Sequence, residues 1–190
     1  MTFPSREAIR TIAAVRTDQI VITTMTAVFE WDAVVGADPL HLPVIGAMGK
    51  ASSVALGLAL AQPRRQVLCL DGDGSLLMNL GSLVTIAGAA PPNLVHFVFE
   101  NRVYNITGGQ PLPAAGKVDF ALMARAAGYP LARTFTHQAQ LEQGLPELLS
   151  TPGPVFACLQ VEPAGPQPKL PQGRMRRHVA ALQRLLAEQP

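Results

Sequence analysis

Asp71-Gly72-Asp73-Gly74-Ser75 is the segment of the chain richest in chemical possibility. Two carboxylates stand among glycines that let the backbone turn sharply and approach a ligand closely. Backbone N–H groups at a helix start favour phosphate, whereas an aspartate in the same turn repels a bare phosphate. A divalent cation between them removes the conflict, because Mg²⁺ takes oxygen ligands and phosphates together. Other readings of the turn fail on spacing. A calcium loop starting at Asp71 needs glycine and glutamate at its sixth and twelfth positions, which hold Leu76 and Ser82. The GxxxxGK[ST] of a P-loop is absent, and Gly72-x-Gly74 lacks the third glycine of a dinucleotide-binding GxGxxG.

Asn101 completes the pattern. It follows Asp73 after one helical segment and the apolar run Leu94–Phe99, so both side chains are expected at the ends of neighbouring strands. Asp73 offers an anionic oxygen and Asn101 a neutral carbonyl oxygen. A backbone carbonyl just beyond adds a third, leaving positions on an octahedral Mg²⁺ for two diphosphate oxygens and a water.

The elements that must hold these residues alternate. Helices are expected over Arg6–Arg16, Ala27–Val35, Ala51–Ala61, Leu76–Ala89, Asp119–Ala127, Gln138–Leu149 and Arg174–Glu188. Strands are expected at Gln19–Thr24, Gln66–Leu70, Leu94–Phe99, Pro130–Phe135 and Pro154–Val161, mostly as the continuous apolar runs of a buried parallel sheet. Pro39–Pro43 reads as a loop, and Gly46-Ala47-Met48-Gly49 as a glycine-bounded turn. The fold class is therefore α/β, a doubly wound, mostly parallel sheet with helices on both faces. In such sheets ligands bind at the carboxyl ends of the strands. Thr23–Thr26, Gly72–Ser75 and Asn101–Gln110 converge there. Residues 1–162 read as the binding domain and 163–190 as a proline-rich arm with an amphipathic C-terminal helix that docks or caps.

Gly72-Asp73-Gly74 followed by Asn101 resembles the thiamine diphosphate motif, GDG followed by NN. Within that superfamily, VIGAMGKASSVALG (residues 44–57), LDGDGSLLMN (70–79) and NRVYNITGGQ (101–110) resemble the sulfopyruvate and phosphonopyruvate decarboxylase group. The resemblance spans about residues 21–161 and covers the diphosphate-binding half of such enzymes. It implies thiamine diphosphate and Mg²⁺ as cofactors, with Asp73, Asn101 and the carbonyl of Val103 as metal ligands. It places Thr23, Thr24, Gly72, Gly74 and Ser75 at the diphosphate. Gly46 would receive the aminopyrimidine's amino group, with Ala47 beside it. Met48 would be the wedge beneath the bent cofactor, and Tyr104, Ile106 and Thr107 would line its loop. Phe29, Trp31, His41 and Thr107 are candidates for the substrate pocket.

The sequence departs from the group's pattern at several points. Glu100 stands where a first asparagine is common, and Lys50 where these decarboxylases often have histidine. In TTMTAVFEW (23–31), Met25, Val28 and Phe29 replace a glycine, a serine and an arginine. The superfamily's activating glutamate lies on a pyrimidine-binding domain for which the chain has no room. Glu30 and Glu100 belong to the diphosphate half, on the wrong side of the ring. The resemblance therefore implies a pyrimidine-binding (alpha-type) partner subunit that supplies this glutamate, in a hetero-oligomer built on a dimer. The implied activity is non-oxidative decarboxylation of a small 2-oxo acid. The alternatives are an acetolactate-synthase-like carboligase, a 2-oxoacid:ferredoxin oxidoreductase beta-type subunit, and a non-catalytic regulatory subunit.

Composition agrees. The 190 residues are 48% hydrophobic and 15% charged, with a formal net charge of +2. That is enough apolar residue for a full core and shows no polyanion-binding signature, so neither disorder nor nucleic-acid binding is expected. Low charge with a mean hydropathy of +0.24 points to a surface partly covered by another subunit. Cys69 and Cys158, far apart in apolar runs, read as buried thiols of a reducing compartment. Neither a signal peptide nor a membrane span is expected, and a cytoplasmic protein is.

Overall fold

The structure, a computed structural model, describes residues 2–165, 167 and 173–188. In chain order the elements are α1 (Ser5–Val15), β1 (Ile20–Thr24), α2 (Thr26–Val35), β2 (His41–Val44), α3 (Ala51–Ala61), β3 (Val67–Gly72), α4 (Asp73–Leu77), α5 (Ser82–Ala89) and β4 (Leu94–Glu100). A small hairpin, β5 (Val103–Tyr104) and β6 (Gln110–Pro111), flanks a 3₁₀ turn over Asn105–Thr107. Then come α6 (Phe120–Ala127), β7 (Leu131–Phe135), α7 (Gln138–Ser150), β8 (Val155–Gln160) and α8 (Arg174–Glu188).

Six strands form one parallel sheet in the order β2-β1-β3-β4-β8-β7. Successive side chains point to opposite faces, so two apolar layers result. One holds Val21, Leu68, Leu70, Phe97 and Leu159 under α1, α2 and α7. The other holds Ile20, Ile22, Cys69, Val98 and Phe156 under α3, α5, α6 and α8. Both cysteines are buried free thiols. Ala51, Ala55 and Ala59 bring α3 close against the sheet. Asp119 caps α6 by accepting from Leu122 N–H at 2.9 Å, and Gly128 ends it at φ +111°.

Two expectations are corrected. Pro39–Pro43 is not all loop, because His41–Val44 is a buried edge strand paired with β1. Val21 N–H bonds Leu40 O, so in β2 the even-numbered residues turn their backbone groups inward. Pro43, which has no N–H, faces the open edge where nothing is lost. Leu76–Ala89 is not one helix, because α4 ends at Leu77 and α5 begins at Ser82 after a turn.

The C-terminal helix docks on β2. Arg174 pairs with Asp32, His178 Nδ1 donates to the carbonyl of His41 at 2.9 Å, and Leu182 joins the core. Of the expected proline-rich arm, residues 166 and 168–172 lie outside the described residues. Among the described residues no helix is long and apolar enough to cross a membrane.

Candidate functional site

One cleft opens at the carboxyl ends of β1, β3 and β4, with about 560 Å³ of space counted out to solvent. The strands end at Thr24, Gly72 and Glu100, so the parallel sheet delivers three loops to one place.

Asp73 stands at the centre, 2% exposed. Its Oδ1 accepts from Gly74 N–H at 2.7 Å and its Oδ2 from Arg102 N–H at 2.7 Å. Burial pushes its carboxyl up to about 6; the two backbone N–H groups oppose that rise and Glu100 adds to it. Asn101 Oδ1 accepts from Val103 N–H at 3.0 Å. Asp73, Asn101 and Val103 all line the cleft, and their available donors are oxygens. A buried carboxylate short of positive charge beside neutral oxygens suits a hard divalent cation such as Mg²⁺.

The other walls follow from the turns. Gly74 is glycine for a steric reason: an added Cβ would meet the Tyr104 ring at 2.8 Å and Leu112 at 3.1 Å. That ring therefore packs directly on the turn. Ser75 Oγ accepts from Gly49 N–H at 3.0 Å, tying the β3 turn to the 46–49 turn and fixing Met48 on the cleft wall. Thr24 Oγ1 donates to Val44 O at 3.1 Å. Ile106 and Thr107 close the outer side.

The remaining candidates lie elsewhere. Thr23 is fully buried, its hydroxyl 2.7 Å from His41 Nε2, and it does not line the cleft. Gly46 (φ +72°) and Ala47 sit in the adjoining turn, off the cleft wall. Trp31 and His41 are corrected as pocket candidates. Trp31 is wholly buried and His41 is 1% exposed, the two rings 5.9 Å apart, with His178 of α8 packed edge-on against the His41 ring. Phe29 is half-buried outside the cleft.

Several lining residues are not among the expected site residues, although the loop Thr23–Thr26 is expected at this end of the sheet. Met25, Thr26 and Ala27 carry the entry of α2, and Met25 adopts φ +52°, a conformation that favours glycine. Its place in TTMTAVFEW, where the resembled group has glycine, is the available signal. Glu30 also faces the cleft, with Ser5 Oγ donating to it at 2.7 Å; burial pushes its carboxyl up. Only the folded chain joins Ser5 to Glu30. Cys69, Asp71 and His96 form a buried polar group that meets the cleft wall at Asp71, with His96 Nε2 3.4 Å from Asp71 Oδ2.

Residues 35–157 match the family described as thiamine pyrophosphate enzyme, C-terminal TPP binding domain. The chain is 41% identical over 157 residues to sulfopyruvate decarboxylase subunit beta of Methanothermobacter thermautotrophicus, covering 83% of this chain and 81% of that one. It is 44% identical over 123 residues to phosphonopyruvate decarboxylase of Streptomyces viridochromogenes, covering 65% of this chain and 30% of that one. It is 30% identical over 178 residues to acetolactate synthase isozyme 1 large subunit of Escherichia coli, 81% of this chain and 30% of that one. The chain thus spans most of the first relative and under a third of the other two. The fold matches benzoylformate decarboxylase from Polynucleobacter necessarius with a TM-score of 0.74 at 20% identity, over 85% of this chain and 34% of that one.

Proposed function

The chain belongs to the thiamine pyrophosphate enzymes through their C-terminal binding domain, and from that premise we propose that it is the diphosphate-binding subunit of a two-subunit 2-oxo acid decarboxylase. The observation that carries this reading is the convergence of Asp73, Asn101 and Val103 on one cleft at the strand ends. The relative that the chain nearly spans is a decarboxylase subunit beta, which favours decarboxylation over carboligation and a partner chain over self-sufficiency.

Asp73, the Asn101 side chain and the Val103 carbonyl would hold Mg²⁺, and through it the diphosphate of thiamine diphosphate. Gly72, Gly74 and Ser75 keep the β3 turn tight against that anion, and Thr24 flanks it from β1. Met48 and Tyr104 supply apolar walls for the rings, with Ile106 and Thr107 as the outer rim. Bound there, thiamine diphosphate supplies the electron sink that lets a 2-oxo acid lose carbon dioxide. The glutamate that activates the cofactor would come from a pyrimidine-binding partner, and the active site would form at the interface. The substrate class is a small 2-oxo acid, and the compartment is the cytoplasm.

Calorimetric titration of thiamine diphosphate with Mg²⁺ tests the assignment. It is run on the chain alone, on the chain with its partner, and on Asp73→Ala. Mg²⁺-dependent binding that Asp73→Ala abolishes is the expected result. Absence of binding by the unsubstituted chain under both conditions overturns it.

A further inference from the structure

Arg102 sits between Asn101 and Val103 with φ +65°, a left-handed conformation that costs a side-chain-bearing residue free energy glycine avoids. Two contacts need that conformation together. The backbone N–H of Arg102 turns onto Asp73 Oδ2 at 2.7 Å. Its side chain folds back so that Nε donates to Glu100 Oε1 at 3.1 Å. Glu100 is itself immobilised. It is 4% exposed and pairs in register with Gln160 across β4 and β8. Its Oε2 accepts from Cys158 Sγ at 3.3 Å and Gln160 Nε2 at 3.1 Å. Without Arg102 this carboxylate would lose its counter-charge in a buried site near Asp73. The other side of residue 102 is fixed as well, since its carbonyl accepts from Leu112 N–H at 2.9 Å.

We propose that Glu100 is a positioning residue that acts through Arg102, holding the strained residue-102 backbone so that its N–H stays on Asp73 and aims that carboxylate into the cleft. The role for the metal rests on the reading of Asp73 as a Mg²⁺ ligand, whereas the anchoring of the residue-102 amide does not. The line of force runs from the sheet (Cys158, Gln160) to Glu100, to Arg102, to Asp73. Arginine at position 102, where the φ by itself favours glycine, couples the loop to the sheet.

The test uses the full chain and the variants Glu100→Gln, Arg102→Gly and Arg102→Lys, with two readouts. The first is hydrogen exchange of the residue-102 amide without ligand. Exchange is expected to speed up about tenfold or more in Glu100→Gln and Arg102→Gly, and to stay within about threefold of the parent in Arg102→Lys. The second is the Mg²⁺ concentration that half-saturates thiamine diphosphate binding. It is expected to rise about tenfold in the first two variants and to recover in Arg102→Lys. Unaltered protection of the amide in Glu100→Gln and Arg102→Gly overturns the proposal. So does an Arg102→Lys that behaves like Arg102→Gly. If the parent chain binds no thiamine diphosphate, the cofactor assignment fails, and the amide readout still decides the anchoring.

Discussion

Glu30 and Asp73 line the same cleft from two different elements, one from α2 and the other from the turn that follows β3. Both are nearly sealed from solvent, and burial raises the proton affinity of each. Their settings differ. Asp73 accepts two backbone N–H bonds that favour its anion, whereas Glu30 accepts one hydroxyl from Ser5. The site thus holds two carboxylates whose proton affinity burial raises, one anchored on backbone N–H groups and one on a hydroxyl.

Asp73 sets a pH dependence in the metal-free chain. Its folded value of about 6 lies above the ordinary 3.8. A raised acid contributes stability that is present below 3.8 and lost as pH rises through 6. The loss approaches about 3 kcal/mol at neutral pH, at about 1.4 kcal/mol per unit. Urea titrations at pH 4.5 and 7.5 should show Asp73→Asn without this component, so that it gains relative to the parent at pH 7.5. Equal differences at both pH values would refute it.

His41 works in the opposite direction over the same window. Burial, then His178, Arg174 and Arg16, lowers it from 6.5 to about 3. The neutral ring contributes stability above pH 6.5 that is lost as pH falls towards 3, at about 1.4 kcal/mol per unit. His41→Gln, which can still bond Thr23, should lessen the destabilisation between pH 7 and 4.5 by about 2–3 kcal/mol. Denaturation midpoints of the two proteins at those pH values measure it.

Gly74→Ala places a methyl group 2.8 Å from the Tyr104 ring. Overpacking of this kind costs about 1–3 kcal/mol. Adding Tyr104→Leu should recover most of that cost, since the ring atoms at 2.8 Å are then gone and only the Leu112 contact at 3.1 Å remains. A double-mutant cycle in urea reads the coupling, and additive losses would refute it.

Met25→Gly relieves a left-handed residue at φ +52°. Relief of about 1–2 kcal/mol outweighs the extra freedom of glycine in the unfolded chain, about 0.4–1 kcal/mol. A small net stabilisation is expected in thermal melts. A lower midpoint would show that the Met25 side chain contributes more packing than its backbone costs.

The sequence by itself determined the sheet's interior, the chemistry of the β3 turn and the family. QVLCL and LVHFVF are legible because a strand covered on both faces is apolar throughout, whatever surrounds it. Asp119 and Gly128 mark α6 because cap chemistry acts within a few residues. Asp73 and Asn101 are legible because glycine spacing and a helix-plus-strand interval are linear properties. What only the tertiary structure decided depends on contacts between distant segments. HLPV is a strand because β1 pairs with it, and a proline there is tolerated because that edge is outermost. Trp31 and His41, two of the expected pocket residues, are core residues: Trp31 joins the apolar layer shared with α1, and α8 folds over His41. Ser5 meets Glu30 across 25 positions, and Glu100 reaches Cys158 across 58. No local pattern carries such pairings. Side-chain direction at a strand end, and the sign of φ at Met25 and Arg102, are set by whatever the chain packs against there.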